Sequence, residues 1–130
     1  MNLQEVSTPA LAYLGDCVIE LCVRRYLLEC GFSTSRNLNR EALRFVRAGA
    51  QAEAMKRILP VLTEVEEGYF KRGRNIGHTN VPKNATVSEY RAATGMEVLF
   101  GYLHLSEQQE RIDELFQIGY INTADQDLQN

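Results

Sequence analysis

Residues 10–20, ALAYLGDCVIE, are the most informative segment of this chain. The segment reads as helix, and from Leu11 to Val23 it is apolar on almost every side. At helical spacing Leu11, Leu14, Val18 and Leu21 form one stripe, while Ala12, Tyr13, Ile19 and Val23 cover much of the opposite face. A helix that is apolar all round is normally a buried one. Two carboxylates interrupt it, Asp16 and Glu20, one turn apart on the same face. An acid in an apolar setting must be paired, protonated or bound to a cation.

The flanks give this helix its ends. Pro9 suits a first helical turn, where its missing N–H costs nothing. The helix is expected to run to about Glu29, with Gly31 as its stop. Residues 1–7 read as a lead-in and residues 33–37 as a loop. A second helix is expected over residues 39–59, with Leu43, Val46, Ala50 and Ala54 facing inward and Pro60 ending it. Its basic residues Arg40, Arg44, Arg47, Lys56 and Arg57 point elsewhere, either to a solvated face or to a nucleic acid. Three capping boxes predict further helix starts: Thr63 with Glu66, Thr86 with Glu89, and Ser106 with Gln109. No strand-like alternation appears, so the expected fold class is all-α.

At this length one domain is expected, over residues 1–120, followed by a polar, frayed tail over residues 121–130. Cys17, Cys22 and Cys30 form no CxxC pair and read as reduced thiols, with Cys17 and Cys22 buried. Neither a signal peptide nor an apolar run of membrane-spanning length is present, so a cytoplasmic protein with no membrane partner is expected.

The net charge of −3 hides a polarised distribution. Between Arg24 and Arg91 there are thirteen Lys/Arg against seven Asp/Glu, and outside that span one against ten. A basic middle between acidic ends is what local binding of a polyanion needs. Residues 71–84, KRGRNIGHTNVPKN, hold four basic residues and no acid. Their glycines allow close backbone approach, and their Asn, Thr and Arg side chains can donate to phosphate oxygens. The segment is not a Walker motif. His78 within it reads as an exposed loop histidine, and the alternative for the whole segment is a flexible loop without a ligand.

Residues 95–105, GMEVLFGYLHL, repeat the opening pattern, an apolar helix broken by one carboxylate, Glu97. If the two apolar helices pack together, their acids can converge. Converged carboxylates suit a hard cation such as Mg²⁺ or Mn²⁺. Beside a basic loop, such a cation serves phosphodiester hydrolysis. The alternative is that the acids pair with Arg24, Arg25 or Arg91.

LAYLGDCVIEL, residues 11–21, resembles the signature helix of the ribonuclease III family, and ATGMEVLFGYLHL, residues 93–105, resembles that family's second acidic helix. With AQAE at 50–53, KRGRN at 71–75, PKN at 82–84 and YRAATGMEVLFGYL at 90–103, the chain resembles the Mini-III branch of the family over roughly residues 11–115. The resemblance implies a helical ribonuclease III-type endonuclease domain that lacks the separate double-stranded-RNA-binding domain. It implies a homodimer whose two sites flank a groove for duplex RNA, each cutting one strand. It further implies Mg²⁺ as cofactor (Mn²⁺ as substitute), 5′-phosphate and 3′-hydroxyl ends, and maturation of precursor 23S ribosomal RNA. A ribosomal protein that presents the precursor is a further implied partner.

Residue by residue, Asp16 matches the family's catalytic aspartate and Glu97 its metal-binding glutamate. Larger members have acids where this chain has Ala12 and Thr94, a reduction shared by Mini-III enzymes that leaves the metal shell thin. Glu20 is not one of the usual ligands and ranks as a helper or a buried ion-pair partner. Without a separate domain, the catalytic domain must make its own contacts to phosphates and 2′-hydroxyls. Arg72, Arg74, Asn75, Lys83 and Asn84 are the candidates, with Arg91 a weaker one. The rival reading is a non-catalytic RNA-binding or ribosome-assembly module, which the sparse carboxylates favour and the intact Asp16 and Glu97 disfavour.

Overall fold

The computed structural model describes residues 1–76, 81 and 83–122. The helices are α1 (Thr8–Glu29), α2 (Ser35–Val46), α3 (Ala48–Ile58), α4 (Glu64–Arg74), α5 (Val87–Leu105) and α6 (Gln109–Phe116). Single 3-10 turns lie at Leu3–Glu5 and Leu59–Val61, and α6 continues into a π turn at Gln117–Ile121. Among the described residues there is no strand, as the all-α reading expects.

α5 is the axis of the fold. It is buried almost continuously from Ala93 to Leu103, and α1, α3 and α4 pack around it. Two of these packings depend on glycine pairs. A Cβ on Gly15 of α1 would lie 1.6 Å from the Glu97 carbonyl oxygen, and one on Gly101 would lie 2.1 Å from the Leu11 carbonyl oxygen. On the α4 side, a Cβ on Gly73 would lie 2.7 Å from the Gly95 Cα. Around these crossings Leu11, Ile19, Val23, Met55, Ile58, Leu99, Phe100, Leu103, Ile112 and Leu115 are fully buried. Each such side chain contributes roughly 1.5–3 kcal/mol of transfer free energy.

The local signals at four helix ends act as read. Ser7 caps α1 ahead of Pro9, and Gly31 takes φ of 98° just beyond its end. The Thr63–Glu66 and Thr86–Glu89 boxes both close in both directions.

Other expectations fail. Ser106 does not cap the last helix. It ends α5, with its hydroxyl donating to the Tyr102 carbonyl at 2.7 Å, and α6 begins later at Gln109 with no side-chain cap. The helix expected over residues 39–59 is two helices, broken at Arg47, whose ψ of 148° is extended. The break lets α2 pack on α1 while α3 turns to α5, where Gly49 meets the Glu89 carboxylate. Leu43 is therefore not inward but 60% exposed, and Ala42 is the buried residue of α2. Tyr13 and Leu21 are 82% and 67% exposed, so α1 is not buried all round by its own chain. Cys17 and Cys30 are exposed, and Cys22 is half-buried, all three unbridged. Burial pushes the Cys22 thiol up to about 11, which keeps it protonated and inert. The readings of His78, Pro82 and the tail beyond residue 122 lie outside the described residues.

Candidate active site

Asp16 immediately follows the glycine at which α1 meets α5, and Glu97 supplies the carbonyl that Gly15 approaches. The crossing therefore sets the two acids beside each other. Asp16 lies on the exposed rim, not in a buried setting, and Glu97 is the more enclosed of the pair. Burial pushes the Glu97 carboxyl up to about 8, helped by the charge of Asp16 and by a hydrogen bond between the two groups. Without a cation, burial and the neighbouring Asp16 thus favour the protonated form of the Glu97 carboxyl.

The alternative pairing occurs for Glu20 but not for Asp16 or Glu97, which make no ion pair with an arginine among the described residues. Arg24 pairs with Glu20 at 3.3 Å and Arg25 with Glu29 at 3.1 Å. Glu20 is accordingly an ion-pair partner, but on the surface, its side chain 39% exposed. The Thr94 hydroxyl donates to the Tyr90 carbonyl at 3.0 Å, and neither it nor Ala12 adds a carboxylate. Among the described residues no third His, Cys, Asp or Glu joins a metal-sized cluster. Two carboxylates side by side still fit one hard cation that keeps several waters, which is how Mg²⁺ is usually held. The raised Glu97 fits too, because a site that favours a proton between two acids also favours a cation there.

Six basic and amide residues were expected to meet RNA, and the structure divides them. Lys71, Arg72 and Arg74 belong to the last turn of α4 and not to a loop. Arg74, Asn75 and Arg91 line one groove of about 440 Å³ with Val87, Ser88 and Ala92, at the start of α5. Arg91 is six residues from Glu97, about 9 Å along the helix. Lys83 and Asn84 lie exposed in the turn that precedes α5. Arg72 is engaged within the chain: it donates to the Thr8 hydroxyl at 2.9 Å and lies over the Tyr69 ring, which stacks on Tyr102.

Two features escaped the sequence. Gly15 and Gly101 were read only as letters of a motif, yet they create the site. The second is Arg111, which clamps the buried carboxylate of Glu66 with two bonds of 2.8 Å, and also binds the Val61 carbonyl and Glu114. The guanidinium holds the Glu66 carboxyl below the usual range and ties the start of α4 to α6. Glu66 was legible as a capping partner, but nothing local marks a contact 45 residues away.

The sequence matches the Ribonuclease III domain family over residues 9–108. The Mini-ribonuclease 3 of Symbiobacterium thermophilum is 48% identical over 107 residues, 82% of each chain. That of Enterococcus faecalis is 48% identical over 116 residues, 88% of each chain. That of Clostridium tetani is 37% identical over 130 residues, covering 99% of this chain and 85% of the relative. A crystal structure of a protein from Fusobacterium nucleatum superposes with a TM-score of 0.80 at 33% identity, covering 89% of this chain and 93% of that one. The glycine-set pair Asp16 and Glu97 thus lies in a ribonuclease III fold, and the chain belongs to the ribonuclease III family, in its Mini-III branch.

Proposed function

We propose that this chain is a Mg²⁺-dependent endoribonuclease that cuts double-stranded RNA as a homodimer. The observation that carries this reading is the pairing of Asp16 with Glu97 where α1 crosses α5. Asp16 and Glu97 would hold the cation, with Glu97 releasing the proton it shares with Asp16. The chemistry that a cation held by these two residues would supply is neutralisation of charge on the scissile phosphate and a lowered pKa for the attacking water. Arg74, Asn75 and Arg91 hold flanking phosphates, and Lys83 and Asn84 extend the same surface. Arg72 acts as a strut between α1 and α4 and contributes less to RNA. The products expected are 5′-phosphate and 3′-hydroxyl ends.

The homodimer is supported by α1. Tyr13, Leu21 and Leu28 are 82%, 67% and 57% exposed along its outer side. Large apolar side chains in one row on an exposed helix need a cover. A second copy on that row would set two Asp16 residues on either side of one groove. The substrate proposed is precursor 23S ribosomal RNA in the cytoplasm, with a ribosomal protein as the partner that presents it. In the described residues no helix is long and apolar enough to cross a membrane.

The test is incubation with a perfect RNA duplex in Mg²⁺ or in EDTA. Cuts in Mg²⁺ alone are expected. Binding without cuts in Mg²⁺ would decide for the non-catalytic module, the reading that the absence of carboxylates at Ala12 and Thr94 favours.

A further inference from the structure

Among the described residues, most of the exposed large apolar side chains either belong to the row on α1, as Tyr13, Leu21 and Leu28 do, or stand alone, as Met1, Leu43 and Val87 do. Isolated apolar residues are normal on a surface. The remaining three are not isolated. Leu59, Val61 and Val65 are 36%, 44% and 57% exposed within one short stretch, at the turn that joins α3 to α4. The turn is held from behind. Leu62 packs against the core, Pro60 lies inside the 3-10 turn, and Arg111 of α6 donates to the Val61 carbonyl at 2.8 Å. A ridge ordered in advance loses little freedom when something covers it.

The charges around the ridge decide what that cover is. The same Arg111 lines a groove with Glu107, Glu110 and Glu114, so groove and ridge are contiguous. Residues 64–67 and 107–114 hold seven acids and one basic residue. That basic residue, Arg111, is engaged by Glu66, Glu114 and the Val61 carbonyl. Glu64, Glu107 and Glu110 are exposed, and among the described residues their carboxylates make no ion pair or hydrogen bond. This end of the chain therefore repels phosphate, whether of RNA or of an anionic lipid surface. A second copy fares no better, because a two-fold contact would bring one acidic groove against another. A basic protein meets neither obstacle.

We propose that Leu59, Val61 and Val65, with the groove of Glu107, Glu110 and Glu114, form a docking surface for a basic segment of another protein. Apolar side chains of that segment cover the ridge, and its Lys and Arg side chains enter the groove. Proteins carried on RNA are basic because they too must neutralise phosphate. That the partner is such a protein rests on the reading of the chain as an enzyme of RNA. The placement suits it. α4 runs about 15 Å from Glu64, beside the ridge, to Arg74 in the RNA groove, so one chain can hold both at once.

The probe is a fluorescently labelled amphipathic peptide of lysine and leucine at helical spacing, titrated with the full chain in the absence of RNA. It should bind the wild type saturably. The same peptide with serine in place of leucine, or glutamate in place of lysine, should bind at least about tenfold more weakly. Val61→Ser with Val65→Ser should weaken binding by on the order of tenfold, and so should Glu107→Gln with Glu110→Gln, which leaves the Arg111–Glu114 pair intact. The Gln variant should also flatten the salt dependence of binding. Leu21→Asp, on the α1 row, should bind the peptide as the wild type does, and both double variants should cut duplex RNA at the wild-type rate. Wild-type affinity in either double variant overturns the proposal, as does loss of binding in Leu21→Asp. A change of oligomeric state on Val61→Ser with Val65→Ser gives the ridge to a second copy and likewise overturns it. A wild type that cuts no RNA duplex overturns the function, whereas these peptide outcomes overturn the surface.

Discussion

Gly15 meets the backbone of Glu97 so closely that a methyl group on it would stand 1.6 Å from the Glu97 carbonyl oxygen. The neighbour of Gly15 is Asp16, so the same approach that packs α1 on α5 sets the two acids together. Stability and site geometry share one cause. Gly15→Ala must push the helices apart, because the obstructing atom is backbone on both sides. Overpacking of this kind typically costs 1–3 kcal/mol, and a loss at or above about 3 kcal/mol is expected here. Urea denaturation reads it, and a midpoint near that of the wild type would remove Gly15 from its assigned place.

Glu97 sets a pH dependence. Its carboxyl is raised from 4.5 to about 8 in the folded chain, first by burial and then by Asp16. Between those two values the folded state binds the extra proton, so stability falls as pH rises. A shift of that size corresponds to no more than about 5 kcal/mol, and partial exposure of the site reduces it to roughly 2–3 kcal/mol. In EDTA, thermal melts should therefore show falling stability from pH 5 to pH 8. Glu97→Gln should flatten that profile and be the more stable protein at pH 8. Mg²⁺ should restore stability to the wild type at pH 8, where it takes the proton's place, and not to Glu97→Gln. A wild-type profile that is flat in EDTA would contradict the account of the pair.

The exposed row on α1 predicts the assembly. Leu21→Asp places a charge among Tyr13, Leu21 and Leu28 without touching the core, since Leu21 is 67% exposed. Sedimentation should show a dimer for the wild type and a monomer for the variant, with the same helical content. A variant that stays dimeric would place the interface elsewhere.

The helices were legible because their signals are local. Ser7, Thr63 and Thr86 cap with partners three residues on, and Gly31 stops α1 through its own backbone. The pairing of Asp16 with Glu97 was legible too, since acids in two otherwise apolar helices have few other reasons to be there. What failed was long-range. Leu43 continues the stripe of Val46, Ala50 and Ala54 in phase, and only the separate demands of α1 and α5 break the helix at Arg47. Periodicity likewise cannot tell a face covered by its own chain from one left for a second copy, so Tyr13 and Leu21 read as core. Ser106 had the right letters for a cap, but the carbonyls at the end of α5 claimed its hydroxyl first.

Cleavage of an end-labelled RNA duplex by Asp16→Asn and by Glu97→Gln, each compared with wild type in Mg²⁺, tests the metal-holding pair. Asp16 is exposed and Glu97→Gln keeps the shape of a half-buried side chain, so neither change should unfold the chain. Each variant should lose cleavage by on the order of a thousandfold or more while binding the duplex within a few-fold of wild type. Cutting at the wild-type rate by either variant would contradict the assignment of Asp16 and Glu97 as the groups that hold the cation.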